Sequence, residues 1–360
     1  MMKKGFSIAF FGSSLVSAYW NGAATYYRGI IHALHNLGHK TIFFEPDAFE
    51  RQQHRDIGEP VWAKVAVYPA TCSGVRYALN QAREADVIVK ASGVGVFDAE
   101  LEAAVIGLKR ANNAVIFWDV DAPATLDRVL ADPRDAFRQW IPEFDAILTY
   151  GGGKPVVHAY EGLGAKECVP IYNALDPSVH VPVPPKSKFL ADLSFVGNRL
   201  PDRESRVDEF FFRAAHLSPR RRFLLGGNGW QDKELPPNVT YVGHVYTKDL
   251  NAINCSARAV LNINRESMAR YGFSPPTRLF EVAGSGACLI TDHWKGLEQF
   301  LQPQTEVLVV RDGAEVAAVL EPLDIAQAKK IGEAGRQRIL SEHTYQRRAV
   351  QVESVLRELF

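Results

Sequence analysis

Short apolar runs alternate with longer stretches of amphipathic spacing through the whole chain. In the first half the runs are SIAFFG (7–12), KTIFFE (40–45), KVAVY (64–68), DVIVKA (86–91), AVIFWD (114–119) and DAILTY (145–150). Each is rich in β-branched or aromatic residues and bounded by glycine or polar residues, so each reads as a strand. Between them lie stretches of helical spacing such as Ala24–Leu37. Strand and helix in alternation predict parallel sheets flanked by helices, an α/β fold. The runs are almost continuously apolar, which requires both faces of each sheet to be covered, as in a doubly wound architecture.

Between Asp176 and Lys188 the chain reads DPSVHVPVPPKSK, with four prolines and no helical pattern, the signature of a linker. Alternation then restarts with DLSFVG (192–197), RFLLGG (222–227), VTYVG (239–243), RAVLNIN (258–264), ACLITD (287–292) and EVLVV (306–310). The tail, Ile325–Phe360, is helical in pattern and broken near His343-Thr344. The expected division is a first α/β domain over 1–180, a linker at 181–190, a second α/β domain over 191–342 and a terminal helix over 343–360.

Composition narrows the function. At 360 residues the chain exceeds one ordinary core and fits two domains of about 150–180 residues. Forty-one basic and 41 acidic side chains cancel, so no global field draws the protein to nucleic acid or an anionic membrane. An anionic ligand must therefore be held locally. No apolar run approaches the ~20 residues of a membrane span, and the start, Met1–Ser13, reads as a first strand rather than a signal peptide. Cys72, Cys168, Cys255 and Cys288 are scattered without a C-x-x-C pair, and the ten histidines show no zinc-binding spacing. Reduced thiols, a cytoplasmic location and no metal are the expectation.

Ligands of open parallel sheets collect beyond the carboxyl ends of the strands. In the first half Gly12 ends a strand, and Asn21 and Gly22 open the following helix, whose amides face outward. Ser92–Gly95 holds two glycines, with Asp98 beyond them, and is not a dinucleotide fingerprint. Gly151, Gly152, Gly153 and Lys154 resemble a phosphate loop, but Pro155 stands where serine or threonine is needed, leaving an anion-accepting turn. Asp119 and Asp121, in D-V-D after a strand, admit three readings: a divalent-metal pair, a general base for an acceptor hydroxyl, or a helix cap ahead of Pro123. Alternation puts both on one side, where each would raise the other's pKa.

In the second half SFVGNRLPDRE (194–204) is a strand, a glycine turn and a helix start carrying Arg199 and Arg203. Arginine there opposes the helix dipole unless an anion is bound; the alternative is a solvated arginine face continued by Arg206, Arg213 and Arg220–Arg222. Trp230, after the Gly226–Gly229 exit, either stacks on a base or packs internally. Arg265 ends a strand and can meet a diphosphate or pair with Glu266. Arg278 and Glu281 lie three apart on a short helix: guanidinium for diphosphate and carboxylate for ribose, or a surface ion pair.

Several motifs in order resemble the GT-B glycosyltransferases, specifically the CgeB-like group related to family 4. They are W-N-G-x-A-x-x-x-R (Trp20–Arg28), L-x-N-L-G-H-K (Leu34–Lys40), F-W-D-V-D-A-P (Phe117–Pro123) and L-T-Y-G-G-G (Leu148–Gly153) in the first half. F-V-G-N-R (Phe195–Arg199), R-L-F-E-V-A-G-S-G-A (Arg278–Ala287) and H-T-Y-x-x-R (His343–Arg348) carry it in the second. The resemblance implies two Rossmann-like domains facing across a cleft, with nucleotide-sugar on the second, acceptor on the first, and the last helix crossing back. It implies that Glu281 binds ribose and Arg203 the diphosphate, with Asn198 at the turn position where relatives have arginine and Arg199 beside it. The acidic pair spaced eight apart in those enzymes is broken, since Phe273 precedes Glu281 at that interval. The function so implied is metal-independent, cofactor-free transfer of a hexose from a nucleoside-diphosphate donor, UDP favoured, to a hydroxyl on a saccharide or cell-envelope acceptor. A sugar-nucleotide epimerase or hydrolase, or a non-catalytic sugar-binding scaffold, are the alternatives on the same fold.

Overall fold

A computed structural model describes residues 5–360, and the side chains of all of these but Asp202 and Ser267. The chain forms two units: one runs to Asn173 and takes up Tyr345–Phe360, the other is Ala174–Thr344.

In the first unit seven strands, β1 (Ser7–Phe11), β2 (Lys40–Asp47), β3 (Lys64–Pro69), β4 (Val87–Ala91), β5 (Ala114–Asp119), β6 (Ala146–Thr149) and β7 (Cys168–Pro170), form a sheet in the order β3-β2-β1-β4-β5-β6-β7. Every pairing is parallel, with Ala9 of β1 opposite Ile42 on one side and Ile88 on the other. The central strands β4 and β5 are buried at every position, the outcome their unbroken apolar runs require. Phe10, Tyr27, Phe43 and Trp118 interlock over the sheet.

Helix Tyr345–Glu358 packs on helix Ala24–Asn36 within this unit. Contact is close at Gly29, where a Cβ would lie 2.1 Å from the Tyr345 ring. Tyr345 donates its hydroxyl to Asn173 Oδ1 at 2.6 Å, and Arg348 Nε and Gln351 Nε2 donate to the carbonyls of Tyr172 and Pro170. These bonds fasten the chain's last helix to the β7 end of the sheet.

The second unit has six strands, β8 (Ala191–Val196), β9 (Phe223–Gly226), β10 (Val239–Tyr241), β11 (Ala257–Asn262), β12 (Leu289–Asp292) and β13 (Leu308–Val310), in the order β10-β9-β8-β11-β12-β13, again all parallel. Its core gathers Phe195, Phe211, Phe223, Trp230, Leu261 and Ile290. After β8 the helix Pro201–Val207 runs through a π turn, Asp208–Phe212, into Arg213–Leu217. That wider turn lets three successive phenylalanines, Phe210–Phe212, all be buried.

The proline-rich stretch expected to be a linker lies in the second unit. Val183 and Phe189 belong to an apolar cluster with Ile253, and the Lys186 amide donates to Ser256 Oγ at 2.8 Å. The chain divides instead at 173/174 and 344/345. Leu175 is bridged to Thr344, so both passages leave this unit side by side. All four cysteines are free; burial pushes the Cys168 and Cys288 thiols up to about 12, while Cys72 is exposed. No helix among the described residues is long and apolar enough to cross a membrane.

Candidate active site

Strand order in the second sheet reverses between β8 and β11, which are neighbours, so a crevice opens beyond their carboxyl ends. Two glycine turns meet there. A Cβ on Gly227, whose φ is +118°, would lie 2.2 Å from the Gly197 carbonyl oxygen. Asn198 Oδ1 accepts the Asn228 amide and the Arg199 amide donates to the Asn228 carbonyl, both at 2.9 Å. Asn198 thus ties the two turns together.

Trp230, expected as a stacking plane for a base, is fully buried. Its Nε1 donates to the Gly197 carbonyl at 2.8 Å and its ring packs on Phe212. An enclosed indole has no free face, so the packed reading replaces the stacking one. Trp230→Phe is expected to lower unfolding free energy by about 1–3 kcal/mol, the cost of an unpaired buried carbonyl, with UDP affinity changed less than twofold. Urea unfolding and calorimetry check both halves.

The arginines of this region separate by partner. Arg199 is held by Glu204 at 2.6 Å and Asp232 at 2.9 Å, hydrogen bonds that raise its pKa further above the ordinary arginine value. Its charge is therefore spoken for. Arg203, half-buried, lies against the glycine turn: a Cβ on Gly197 would be 3.1 Å from its Nη1. Arg278, from helix Thr277–Gly284, donates Nη2 to the Val196 carbonyl at the end of β8, 3.1 Å away. Arg278 Nη1 stands 3.4 Å from Glu281 Oε2 and makes no hydrogen bond. Two guanidinium groups and a carboxylate therefore converge at the β8 exit. Arg265 takes the N-cap position of helix Glu266–Tyr271 and is partly buried.

Asp292, Asn264 and Arg206, which tie the ends of β11 and β12 together, were not singled out as site residues from the sequence. Asp292, at the end of β12, is buried and accepts the Asn264 amide at 3.1 Å and Arg206 Nη2 at 2.6 Å. Arg206, read from sequence as part of a solvated face, also donates to the Asn264 carbonyl and to Glu266. Desolvation raises the Asp292 pKa in spite of that partner. The signal was present in the polar ends of two apolar strands, N-I-N before Arg265 and T-D after Ile290.

In the first unit Asp119 is enclosed. It accepts Ser92 Oγ at 2.7 Å, the Asp121 amide at 3.0 Å, Thr125 Oγ1 at 3.1 Å and the Tyr160 hydroxyl at 2.5 Å. Burial and that carboxylate push the Tyr160 phenol well above its ordinary range. Four donors on a fully buried group make a brace, which corrects the expectation that Asp119 serves as a base. Asp121 remains partly exposed at the N-cap position of helix Ala122–Ala131, without a side-chain cap bond. Among the described residues no three His, Cys, Asp or Glu side chains gather as metal ligands.

The loops after the other strands are occupied by the protein's own groups. Asp98 accepts the amides of Val94 and Gly95 and the ammonium of fully buried Lys90, so a carboxylate sits where a dinucleotide phosphate would need to. Asn21 is buried and bonded to Ser13, Ser14 and Ser17, which fixes the loop after Gly12, while Gly22 is exposed. Gly12 lies against the Phe43 ring, and its amide donates to the Phe44 carbonyl. Gly152 and Gly153, both with positive φ, begin helix Gly153–Gly162.

Residues 203–354 match the family model described as glycosyl transferase-like. Among curated proteins none matches the chain by sequence. Among solved structures, sucrose-phosphate synthase from Thermosynechococcus elongatus superposes with a TM-score of 0.71 at 14% identity, over 99% of this chain and 99% of its own. HepE from Anabaena, in complex with UDP-glucose, does so at 0.69 and 13%, over 98% and 100%. A glycosyltransferase from Rickettsia africae matches at 0.65 and 11%, over 99% and 98%. Identities so low establish a common fold alone, and the family match is confined to residues 203–354. Over residues 203–354 the chain carries the glycosyl transferase-like match, and along nearly its whole length it shares the fold of these proteins.

Proposed function

We propose that this protein transfers a hexose from a UDP-linked donor to a hydroxyl of a saccharide or other cell-envelope acceptor, in the cytoplasm and without a metal ion or other cofactor. The observation that carries the reading is Arg278: a guanidinium anchored on the β8 carbonyl with Nη1 left without a hydrogen bond. Buried donors of this kind are costly unless a ligand completes them, and a diphosphate oxygen does so with a charge-assisted bond. Arg203 beside Gly197 supplies a second positive group, and Arg265 a third from the β11 exit. Glu281 is the acceptor for ribose hydroxyls. HepE, which shares the fold, was solved with UDP-glucose, and that supports the choice of nucleotide.

Breaking the bond between the sugar carbon and the diphosphate oxygen places negative charge on the leaving group. Fixed guanidinium groups stabilise that charge without reorganisation, the task a divalent ion performs elsewhere. The acceptor belongs to the first unit, where Asp121 would take the proton of its hydroxyl.

A panel of UDP-, GDP- and dTDP-sugars, each with and without mixed saccharide acceptors, tests the proposal. UDP release that depends on acceptor and persists undiminished in EDTA is the expected result. Activity abolished by EDTA and restored by Mn²⁺ would sink the metal-free mechanism, and release that ignores acceptor would make the protein a hydrolase.

A further inference from the structure

The carboxyl edge of the first sheet carries aromatic side chains that its core does not use. Trp20, in the loop after β1, is 66% exposed; Phe49, after β2, is 52% exposed; Tyr19 is 39% exposed. Trp20 (φ +46°) and Phe49 (φ +56°) are also in the left-handed region, as are Glu50 and Phe97. Four of the six non-glycine residues with that conformation in the described chain thus fall in loops after β1, β2 and β4, the strands around the order reversal of this sheet. Left-handed backbone costs stability in a bulky residue, and such cost concentrates where a ligand is served.

These rings stand on a rigid base. Glu45 accepts Ser14 Oγ and the Leu15 amide, and Arg28 holds Asp56 through both carboxylate oxygens while donating Nε to the Leu15 carbonyl. Ser17 Oγ donates to the His54 carbonyl, and the His54 ring stacks on Tyr19 with centroids 4.1 Å apart. Buried Arg51 reaches the carbonyls of Ser13 and Val94, its guanidinium 4.9 Å from the Phe49 ring centroid. A loop so braced holds Tyr19 against His54 and Phe49 beside Arg51 with part of each ring still open to solvent, and leaves Trp20 the most exposed of the three.

We infer that Trp20, Tyr19 and Phe49 form a stacking platform for pyranose rings of the acceptor, which makes that acceptor a saccharide. The C–H bonds on one face of a pyranose carry partial positive charge and match the negative face of an aromatic ring. Its hydroxyls meet polar neighbours, with His54 Nε2 3.7 Å from Glu50 Oε2 at the same edge. Charge argues against an anionic membrane as occupant. Arg28 is paired with Asp56 and Arg55 with Glu59, and Glu50 adds a negative group, so the edge has no cationic surplus. The inference rests on the reading that the first unit takes the acceptor.

Immobilised gluco-, galacto-, manno- and N-acetylglucosamino-oligosaccharides test it with the full-length protein, alongside UDP calorimetry and vesicles of neutral and anionic phospholipid. Wild type is expected to bind at least one oligosaccharide series. Trp20→Ala with Phe49→Ala is expected to weaken that binding at least tenfold, Trp20→Phe to restore most of it, and UDP affinity to stay within twofold. Trp20→Gly, which relieves the backbone, is expected to keep or raise Tm while losing the saccharide. Oligosaccharide binding unchanged in the double variant overturns the platform, as does Trp20-dependent binding to vesicles alone or no oligosaccharide binding by wild type. Failure of wild type to bind UDP condemns the donor reading instead, and the oligosaccharide result still decides the platform.

Discussion

Arg278→Ala is expected to lower UDP affinity at least tenfold and kcat/KM by about 10²–10³, equivalent to about 3–4 kcal/mol of lost transition-state stabilisation. The size follows from geometry. Nη2 is committed to the Val196 carbonyl, so the side chain is already oriented and spends little conformational freedom on meeting a phosphate. Nη1 is the donor left over, beside Glu281. Lysine cannot divide its charge between two separate acceptors in this planar way, so Arg278→Lys should recover less than half of the lost binding energy. Glu281→Ala separates the ribose role from the ion pair: weaker binding of UDP with binding of inorganic diphosphate little changed is the expected pattern. Calorimetry with both ligands, together with steady-state kinetics, gives the measurement. A UDP dissociation constant unmoved in Arg278→Ala would remove the guanidinium from the donor site.

Why the fold was legible is clear from the strands. Parallel strands covered on both faces need unbroken apolar runs, and β4 and β5, buried at every position, are just such runs in the sequence. The strand missed, β7, is three residues long, ends in proline and lies at a sheet edge, where neither length nor burial leaves a pattern. The site was legible only where one element carries it. Arg278 and Glu281 share a helical face because they are three residues apart, and spacing reveals that. Arg206 and Asp292 are 86 residues apart, and no local pattern distinguishes a guanidinium that reaches across the strand ends from one in water. Trp230 shows the converse: glycines followed by tryptophan describe equally well an exposed plane and an indole buried under a glycine turn. Alternation assigned Asp119 a side of the strand; in a sheet covered on both faces either side is interior, so the pattern carried no information on exposure.

The largest stability effect belongs to that long-range pair. Arg206→Ala is expected to cost about 3–5 kcal/mol at pH 8, because it strands the buried Asp292 carboxylate without its cation. The pH dependence follows from the sign of the shift. Desolvation raises the folded pKa of Asp292 above its value in the unfolded chain, so the native state binds the proton more tightly. Its contribution to stability is fully present below the unfolded carboxylate pKa and is lost as pH rises through the folded value. Removing Arg206 deletes the main force opposing that rise and moves the folded pKa higher still. The deficit of the variant should therefore shrink between pH 8 and pH 5, as Asp292 takes up a proton in place of its lost partner. Adding Asp292→Asn to the variant should recover part of the loss at pH 8 and flatten the pH dependence, since the amide needs no counter-charge. Urea unfolding of the four proteins at both pH values measures the cycle, and an equal deficit at pH 5 and pH 8 would mean that Asp292 is not the group left uncompensated. Because Asp292 also accepts the Asn264 amide, the same variant should loosen the β11 exit that carries Arg265. Donor affinity is then expected to fall along with stability, although Arg206 itself points into the strand ends and is not assigned to the ligand.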